Sequence, residues 1–277
     1  MTEPRRSVRE ATLLCWNVAG RVRRLTEQAA LVVEMGADIV CLQETTLGTS
    51  VAWADLLAQQ GWFHIAVATP KPAIAARRTR PLLAVTAART SLDVIDVPAV
   101  PWPERVIGAR TGGLEVINVH SPTSTKPHLA KVLTHESVHA HLSTGSGPRL
   151  VCGDLNTPRK ELPDGRVWTF ARDRYGRLRP DRGERWDRAE LALIKDLEPS
   201  GFRDAFRHLH GLEVREVSWE WQRWGGGYRL DHLVVSAEIT VSEVSYLHRW
   251  REQGLSDHSA MFARLSWPAA DLDAHSS

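Results

Sequence analysis

Cysteine is scarce in this sequence, and long apolar runs are missing. The three cysteines, Cys15, Cys41 and Cys152, each lie in a predicted apolar strand. An odd number of cysteines on core strands predicts buried, reduced thiols and excludes a disulfide framework. No Cys-x-x-Cys motif or Cys/His spacing indicates structural zinc. No run approaches the roughly 18 apolar residues of a membrane helix, and the N-terminus lacks a signal-peptide pattern, so we expect a cytoplasmic protein with no membrane contact.

Linkers and repeats are also missing. No Gly/Ser-rich linker, internal repeat or abrupt change of composition divides the 277 residues. We therefore expect one domain over residues 11–267, with flexible tails at 1–10 and 268–277.

Neither sign of charge is in large excess. The formal net charge is +2, which gives no indication of a nucleic-acid partner. The cations are mainly arginines, whose guanidinium groups suit bidentate phosphate recognition, although a GC-rich genome produces the same bias. The composition therefore leaves the partner open.

Hydrophobic periodicity predicts many strands and few helices. The predicted strands are 11–18, 38–43, 62–68, 82–87, 92–97, 114–120, 148–154, 214–220, 229–236, 239–247 and 260–266, and the predicted helices are 22–35, 48–60, 126–143 and 187–198. Thr125 is a candidate N-cap for the third helix, with Pro127 in its first turn. Several strands follow one another without a helix, which excludes a simple alternating parallel sheet. The pattern favours an α+β fold of two mixed sheets packed face to face, with helices outside.

Acidic and amide side chains lie at or beside an end of five of the predicted strands. They are Asn17, Gln43-Glu44, Asp154 with Asn156, Asp231, and Asp257 with His258. A single carboxylate after a strand is usually a turn or helix-cap residue, but catalytic residues also concentrate on such loops. Clustered carboxylates are ligands for a hard cation such as Mg²⁺, which can polarise a phosphoryl oxygen.

His120 ends a further predicted strand. Residues 114–119 alternate apolar and polar side chains, as in a half-buried strand, and Ser121-Pro122 closes the element. On its own this pattern favours a structural histidine.

Five blocks stand in a fixed order along the chain. They are CWNVAG (15–20), DIVCLQET (38–45), CGDLNTP (152–158), YRLDHLVVS (228–236) and LSDHSAMF (255–262). Together they resemble the signature of the endonuclease/exonuclease/phosphatase superfamily, and GFRDAFRHLH followed by SWEW is similar to exonuclease III. The resemblance implies the DNase I-like fold, a four-layer α/β/β/α sandwich, with Mg²⁺ as cofactor and Mn²⁺ as a substitute.

The resemblance also implies roles by position. It makes Glu44 the principal Mg²⁺ ligand, with Asn17 and Asp257 completing the metal environment. Asp154 matches the residue that orients or deprotonates the attacking water, and Asn156 matches one that contacts the phosphate.

His258 matches a group that donates to a phosphate oxygen or acts in acid–base transfer. Asp231 is expected to fix the tautomer of His258 and to raise its basicity. His232, next to Asp231, should point to the opposite face of its strand and be structural.

Two positions depart from exonuclease III-like sequences. Ala19 stands where these relatives often carry Asp or Asn, so one polar group near the metal is lost. His120 stands where they tend to have Tyr, and VHSPTS is similar to the His-Ser block of DNase I. This similarity implies that His120 protonates the departing 3′ oxygen or contacts the phosphate, which an imidazole does near pH 7 more readily than a phenol.

Two arginine-rich segments and one aromatic segment are candidates for substrate binding. Residues 71–90 carry cations and no acid, and Arg77, Arg78 and Arg80 predict contacts with backbone phosphates. Residues 172–188 mix arginines with carboxylates, which favours a solvated surface. Trp219 and Tyr228 lie where exonuclease III-like enzymes wall the sugar pocket, although tryptophan is also common in the core of this fold.

We therefore expect a Mg²⁺-dependent phosphodiesterase, a monomer that hydrolyses DNA by water attack and leaves a 5′-phosphate. Abasic-site, 3′→5′ exonuclease and non-specific endonuclease activities are all compatible with the sequence. One alternative is a small-molecule or lipid-head-group phosphodiesterase or phosphatase on the same fold. The other is a nucleic-acid-binding relative with impaired catalysis, which the loss at Ala19 allows.

Overall fold

The computed structural model of this chain describes residues 7–70, 81–123, 125, 128–221 and 225–269. Its strands are β1 (Val8–Asn17), β2 (Ile39–Thr46), β3 (His64–Val67), β4 (Leu82–Ala88), β5 (Asp93–Ile95), β6 (Val106–Thr111), β7 (Leu114–His120), β8 (Arg149–Asp154), β9 (Lys160–Glu161), β10 (Val167–Trp168), β11 (Arg203–Asp204), β12 (Trp219–Glu220), β13 (Gly227–Tyr228), β14 (Asp231–Val235), β15 (Thr240–Leu247) and β16 (Ala260–Pro268). Its α-helices are α1 (Leu25–Met35), α2 (Leu47–Gln59), α3 (Ala130–Thr144), α4 (Gly183–Ala192), α5 (Ala205–His210) and α6 (His248–Glu252). Within this part of the chain no helix has the length and apolar character needed to cross a bilayer.

Two six-stranded sheets form the centre of the structure. The strand order is β15-β16-β1-β2-β4-β3 in the first sheet and β11-β14-β8-β7-β6-β5 in the second. Both sheets are mixed, because β1 and β2 run parallel, as do β7 and β8, whereas β1 with β16 and β14 with β8 run antiparallel. The predicted fold of two mixed sheets is confirmed.

Alternation along the strands builds the four layers. In β1, Leu13 and Cys15 face the second sheet and contribute to a core that contains all three cysteines, which are buried and free. Leu14 and Trp16 point the other way, into a core shared with α1 and α2. On the outer face of the second sheet, side chains of α3 pack against β7 and β8. The period of two in the sequence therefore produces one apolar layer between the sheets and another beneath each set of helices.

Several predicted boundaries are wrong. The predicted strand 214–220 is reduced to Trp219–Glu220, and the predicted helix 187–198 lies instead at Gly183–Ala192. The third helix begins after Leu129 without a side-chain cap, so Thr125 is not its N-cap. β6 was missed because it contains Gly108, which interrupts the apolar pattern; a Cβ there would lie 2.7 Å from the Ile95 side chain, so the close approach of β5 requires glycine.

Candidate active site

Three polar side chains form one row across the second sheet. His120 of β7 pairs in register with Asp154 of β8, and Asp154 pairs with Asp231 of β14. Residues paired directly across neighbouring strands project from the same face, so the ladder itself brings the three side chains together. Gly153 keeps β7 and β8 close beside this row, because its φ is +130° and a Cβ there would lie 2.0 Å from the Val119 carbonyl oxygen.

The first sheet contributes Asn17 and Glu44 to the same place. Asn17 Nδ2 donates to Asp154 Oδ2 at 3.0 Å and to Glu44 Oε1 at 3.2 Å, and thereby connects the two sheets. Asn17 Oδ1 accepts from the Ala19 backbone N–H at 2.9 Å, so the amide nitrogen and not the oxygen faces the carboxylates. The metal-ligand role of Asn17 stays a prediction.

Asp231 orients His258. The His258 Nδ1 to Asp231 Oδ2 distance is 2.8 Å, and His258 Nε2 lies 3.8 Å from Asp154 Oδ2. The backbone N–H of Asp231 donates to Ser218 Oγ at 3.1 Å, and the Tyr246 hydroxyl donates to the Asp231 carbonyl. The backbone of Asp231 is therefore fixed on both sides, and its carboxylate orients the imidazole in turn.

Burial and charge shift the pKa values of His258 and Asp154 strongly. Burial would lower the pKa of His258, but the charges of Asp231 and Asp154 outweigh burial and raise it to about 10. Burial, together with the charges of Asp231 and Glu44, raises the pKa of Asp154 to about 7 against the lowering effect of His258. Buried groups with such displaced pKa values in a cleft are characteristic of catalytic sites.

His120 lies beside Glu44 and Arg105. Its Nε2 is 3.2 Å from Glu44 Oε1 and 3.3 Å from Arg105 Nη1, which comes from the 3₁₀ turn Pro103–Arg105. Burial and the charge of Arg105 lower the pKa of His120 to about 4. Burial would raise the pKa of Glu44, but the hydrogen bond and charge of His120 lower it to about 2. At pH 7 a neutral His120 therefore donates to an ionised Glu44.

Asn156 is held by its backbone as well as by its side chain. Its N–H donates to Asp154 Oδ1 at 2.8 Å in an Asx-turn, and its side-chain amide donates to the Ser121 carbonyl at 2.8 Å. The Asn156 carbonyl accepts from Lys131 Nζ at 2.6 Å, and Lys131 forms a buried ion pair with Glu190 at 3.0 Å. Asn156 also has a φ of +52°, so these contacts hold a conformation that L-residues rarely adopt.

A cavity of about 580 Å³ opens in front of these groups. It is lined by Glu44, Thr123, Thr125, Asp154, Asn156, Arg159, Phe170, Arg179, Trp219, Trp221, Tyr228, Leu230, Asp257 and His258. Trp219 and Tyr228, which are predicted to wall a sugar pocket, form an aromatic wall of this cavity: their rings are parallel with centroids 6.0 Å apart, and Trp219 Nε1 donates to Asp257 Oδ2 at 3.1 Å. His120 is buried and does not line the cavity, whereas Glu44, its partner, does.

Sequence reasoning missed the polar residues that support this site. Gln43 Nε2 donates to Asn118 Oδ1 at 2.7 Å, and Asn118 Nδ2 donates to the Leu42 and Val85 carbonyls. This buried pair connects the two sheets directly beneath Glu44 and His120. An asparagine two residues before His120, on the same face of an apolar strand, was the available signal. No sequence signal marks Arg105, Phe170 or Arg179. The predicted phosphate contacts of Arg77, Arg78 and Arg80 lie outside the described residues.

The donor set fits a hard divalent cation. Two groups of possible ligands have their atoms within 4.8 Å of one another: Glu44 with His120 and Asp154, and Asp154 with Asp231 and His258. Asp231 Oδ1 is buried and has no hydrogen-bond partner among the described residues. Carboxylate oxygens in excess over local cations are what Mg²⁺ or Mn²⁺ requires. Asp257, predicted as a ligand, lines the cavity and binds Trp219.

A family model decides the classification. The model of the Endonuclease/Exonuclease/phosphatase family matches residues 14–258. This chain belongs to that family. Membership of the endonuclease/exonuclease/phosphatase family indicates a hydrolase of the phosphoesterase type.

Solved structures agree with the family's fold. An AP endonuclease from Archaeoglobus fulgidus is 21% identical, with a TM-score of 0.69, and the match covers 91% of this chain and 98% of that chain. A 3′ phosphatase, NExo, from Neisseria, bound to a product DNA hairpin, is 23% identical with a TM-score of 0.67 and the same coverage. A humanized TDP2 from D. rerio is 14% identical, with a TM-score of 0.61 over 92% of this chain and 98% of that chain. No curated protein matches this chain.

Proposed function

We propose that this chain is a Mg²⁺-dependent phosphodiesterase that hydrolyses DNA. The observation that carries the proposal is the convergence of Asp154, Asn156, His258 and Glu44 on one cavity that aromatic side chains also line. Such a cavity offers a water-activating carboxylate, hydrogen-bond donors and a face for a sugar or base. The similar structures titled as an AP endonuclease and as a 3′ phosphatase bound to DNA support a DNA substrate.

Each residue has a defined task in the proposed reaction. Asp154 accepts the proton of the attacking water, whose oxygen forms a bond to phosphorus as the bond to the 3′ oxygen breaks, and the departing 3′ oxygen takes up a proton from solvent. His258 Nε2, held by Asp231, donates to a non-bridging phosphate oxygen, and Asn156 lies beside it. His120 holds the Glu44 carboxylate in place, and Arg105 lies against His120.

Glu44, with Asn17 and Asp257 nearby, would hold the divalent cation. When bound, the ion supplies Lewis-acid stabilisation of the negative charge on the phosphate and on the departing oxygen. The excess of carboxylates over cations at this point supports that assignment.

A substrate panel tests the proposal. Supercoiled plasmid, an abasic-site duplex, single-stranded DNA, RNA and bis(4-nitrophenyl) phosphate are incubated with Mg²⁺, Mn²⁺ or EDTA. We expect metal-dependent cleavage of DNA by the native chain and by Glu238→Gln, an exposed control, but not by Glu44→Gln. Absence of metal-dependent DNA cleavage would falsify the proposal.

The cavity also favours a second candidate. A volume of about 580 Å³ lies within the range of small-molecule pockets, so a free nucleotide or another small phosphodiester would fit. In the same panel, hydrolysis of the small diester without cleavage of any nucleic acid would select this candidate.

The role of His120 needs its own test, because the sequence predicts a catalytic acid and its contacts favour a positioning role. If His120 protonates the leaving oxygen, His120→Ala should lose much less activity on a nitrophenyl ester than on an ordinary diester, since nitrophenolate departs without a proton. If it positions Glu44, the two losses should be equal. We expect equal losses.

A further inference from the structure

Residues 170–179 form a hairpin that leaves the cavity wall and returns to it. Phe170 and Arg179, at its two ends, both line the cavity. Between them Arg172 and Leu178 form an antiparallel bridge, and the Arg179 N–H donates to the Ala171 carbonyl at 2.9 Å. We refer to residues 170–179 as the rim hairpin. Its tip is therefore attached directly to the edge of the active site.

The base of the rim hairpin is firmly anchored. Ala171 is buried in a small core with Trp186 and Ala189 of α4. The Phe170 N–H donates to Glu190 Oε2 at 2.7 Å, and Arg172 Nε donates to Asp187 Oδ1 at 3.1 Å. Contacts of this kind fix the direction in which the tip points.

The tip is also ordered by its own hydrogen bonds. Asp173 Oδ1 accepts from the backbone N–H groups of Tyr175 and Arg177, at 2.8 and 3.0 Å. Gly176 has a φ of +81°, and a Cβ there would lie 2.7 Å from the Trp168 ring. This turn presents Tyr175 to solvent with 59% of its surface exposed.

Two arginines flank the exposed ring. The guanidinium carbons of Arg174 and Arg177 lie 4.7 and 5.0 Å from the centroid of Tyr175. Three of the four arginines in segment 170–179 form ion pairs, with Asp187, Asp173 and Asp181, whereas Arg174 has no ion-pair partner among the described residues. An exposed cation–π contact is weaker than the stacking of a base on an aromatic ring. A base can therefore replace a guanidinium on the ring while that guanidinium moves to a phosphate.

We propose that the rim hairpin binds nucleic acid outside the catalytic pocket. Tyr175 stacks on an unpaired base of the strand whose phosphate occupies the cavity, and Arg174 contacts a phosphate beside that base. The partner is a single strand or an unpaired end, because a base inside a duplex has no free face. This inference rests on the proposed function and adds to it a preference for unpaired nucleotides.

Binding measurements on the full chain test the rim hairpin. The dissociation constant for a fluorescent single-stranded oligonucleotide and for its blunt duplex is measured in EDTA by anisotropy. We expect Tyr175→Ala to weaken single-strand binding by about tenfold to a hundredfold, and Tyr175→Phe to bind like the native chain. Arg174→Gln should reduce the slope of log Kd against log salt by about one. Phe63→Ala removes an aromatic ring that is 74% exposed elsewhere and should change nothing.

The outcomes separate this inference from the proposed function. Hydrolysis of bis(4-nitrophenyl) phosphate should be unchanged in Tyr175→Ala, and its loss would make the hairpin a part of the cavity structure and overturn the inference. DNA cleavage by the native chain with an unchanged Kd for Tyr175→Ala overturns the inference alone. Binding that depends on Tyr175 without metal-dependent cleavage overturns the proposed function alone. Equal Tyr175-dependent binding of an acidic peptide would assign the hairpin to a protein partner instead.

Discussion

The two faces of β14 carry polar clusters of opposite electrostatic character. On one face, Asp231 belongs to the reaction cluster, formed by Asn17, Glu44, Asp154, Asp231 and His258. On the other face, His232 belongs to the anchor cluster, formed by Glu161, Asp204, Arg207, Arg229 and His232. Both clusters are built from buried carboxylates and a histidine, but only the anchor cluster contains arginine.

The arginines neutralise the anchor cluster completely. Arg229 binds Glu161 through two hydrogen bonds, at 2.9 and 2.6 Å, and binds Asp204 at 2.9 Å. Arg207 adds a bond to Glu161 at 2.7 Å. Burial would raise the pKa values of both carboxyls, but the charge of Arg229 outweighs it, so the pKa of Glu161 falls to about 2 and that of Asp204 falls well below its usual range.

The reaction cluster shows what happens without arginine. There the pKa of Asp154 is raised to about 7, because burial and two neighbouring carboxylates act against one imidazolium. Carboxylates and histidine therefore form a structural cluster with balanced charge on one face of β14. On the other face they form a site with unbalanced negative charge. That imbalance supports the proposed binding of a cation and the proposed transfer of a proton at this face.

The largest effect should come from Asp154→Asn. We expect kcat on DNA to fall by about 10²- to 10⁴-fold, because the amide cannot accept the proton of water. Stability should stay within about 1 kcal/mol of the native chain, since relief of charge repulsion offsets the loss of an acceptor. Steady-state kinetics and urea unfolding check the two parts, and a loss of less than tenfold in kcat would contradict the role of Asp154.

Arg229→Met should lower stability strongly and change activity little. It leaves Asp204 and Glu161 buried without their main partner, so we expect the free energy of unfolding to fall by about 3–5 kcal/mol. Activity of the folded molecules should change little. Arg264→Met is the matched control, because its ion pair with Glu243 is exposed and contributes about 0–1 kcal/mol. Equal urea midpoints for the two variants would show that the anchor cluster does not stabilise the fold.

Acid should destabilise the anchor cluster over a defined pH range. The pKa of Glu161 falls from 4.5 to about 2 on folding, so its contribution is complete above pH 5 and is lost as the pH falls towards 2. A shift of that size corresponds to about 3 kcal/mol. In Glu161→Gln this part of the pH dependence should disappear. Urea unfolding between pH 2 and 6 measures it, and identical pH profiles for the two proteins would count against the assignment.

Ala19→Asn should have the smallest effect. Ala19 has a φ of +54°, and Glu44 and Asn156 in the site also have a left-handed backbone conformation. Among the described non-glycine residues with positive φ, none belongs to the anchor cluster. Asparagine tolerates this region better than alanine, so we expect a gain of up to about 1 kcal/mol. Ala99→Asn, at an exposed residue with φ of +64°, should gain as much without affecting activity. Thermal unfolding of both variants checks the expectation.

The sequence predicts the strands and the polar residues at the strand ends. A period of two marks the strands, and turn residues mark where they end. The sequence cannot predict how deeply each side chain is buried. Alternation places His120 on the face of Asp154, yet only packing puts it behind Glu44, outside the cavity lining. Arg105 was also not predicted, because its contact with His120 of β7 forms only when the chain is folded. Phe170 and Arg179 lie in stretches with no periodicity, and Arg179 belongs to residues 172–188, whose mixed charges favour a solvated surface.

The row of His120, Asp154 and Asp231 has a consequence for how such a protein diversifies. Its spacing is set by backbone ladders and not by loops, so the positions of these groups do not depend on what surrounds the cavity. The aromatic wall and the rim hairpin, by contrast, lie outside the two six-stranded sheets, in segments that tolerate insertion and replacement. In the proposed function, chemistry and substrate choice are therefore encoded in separate parts of the chain, and exchange of the rim would change specificity while the row stays intact.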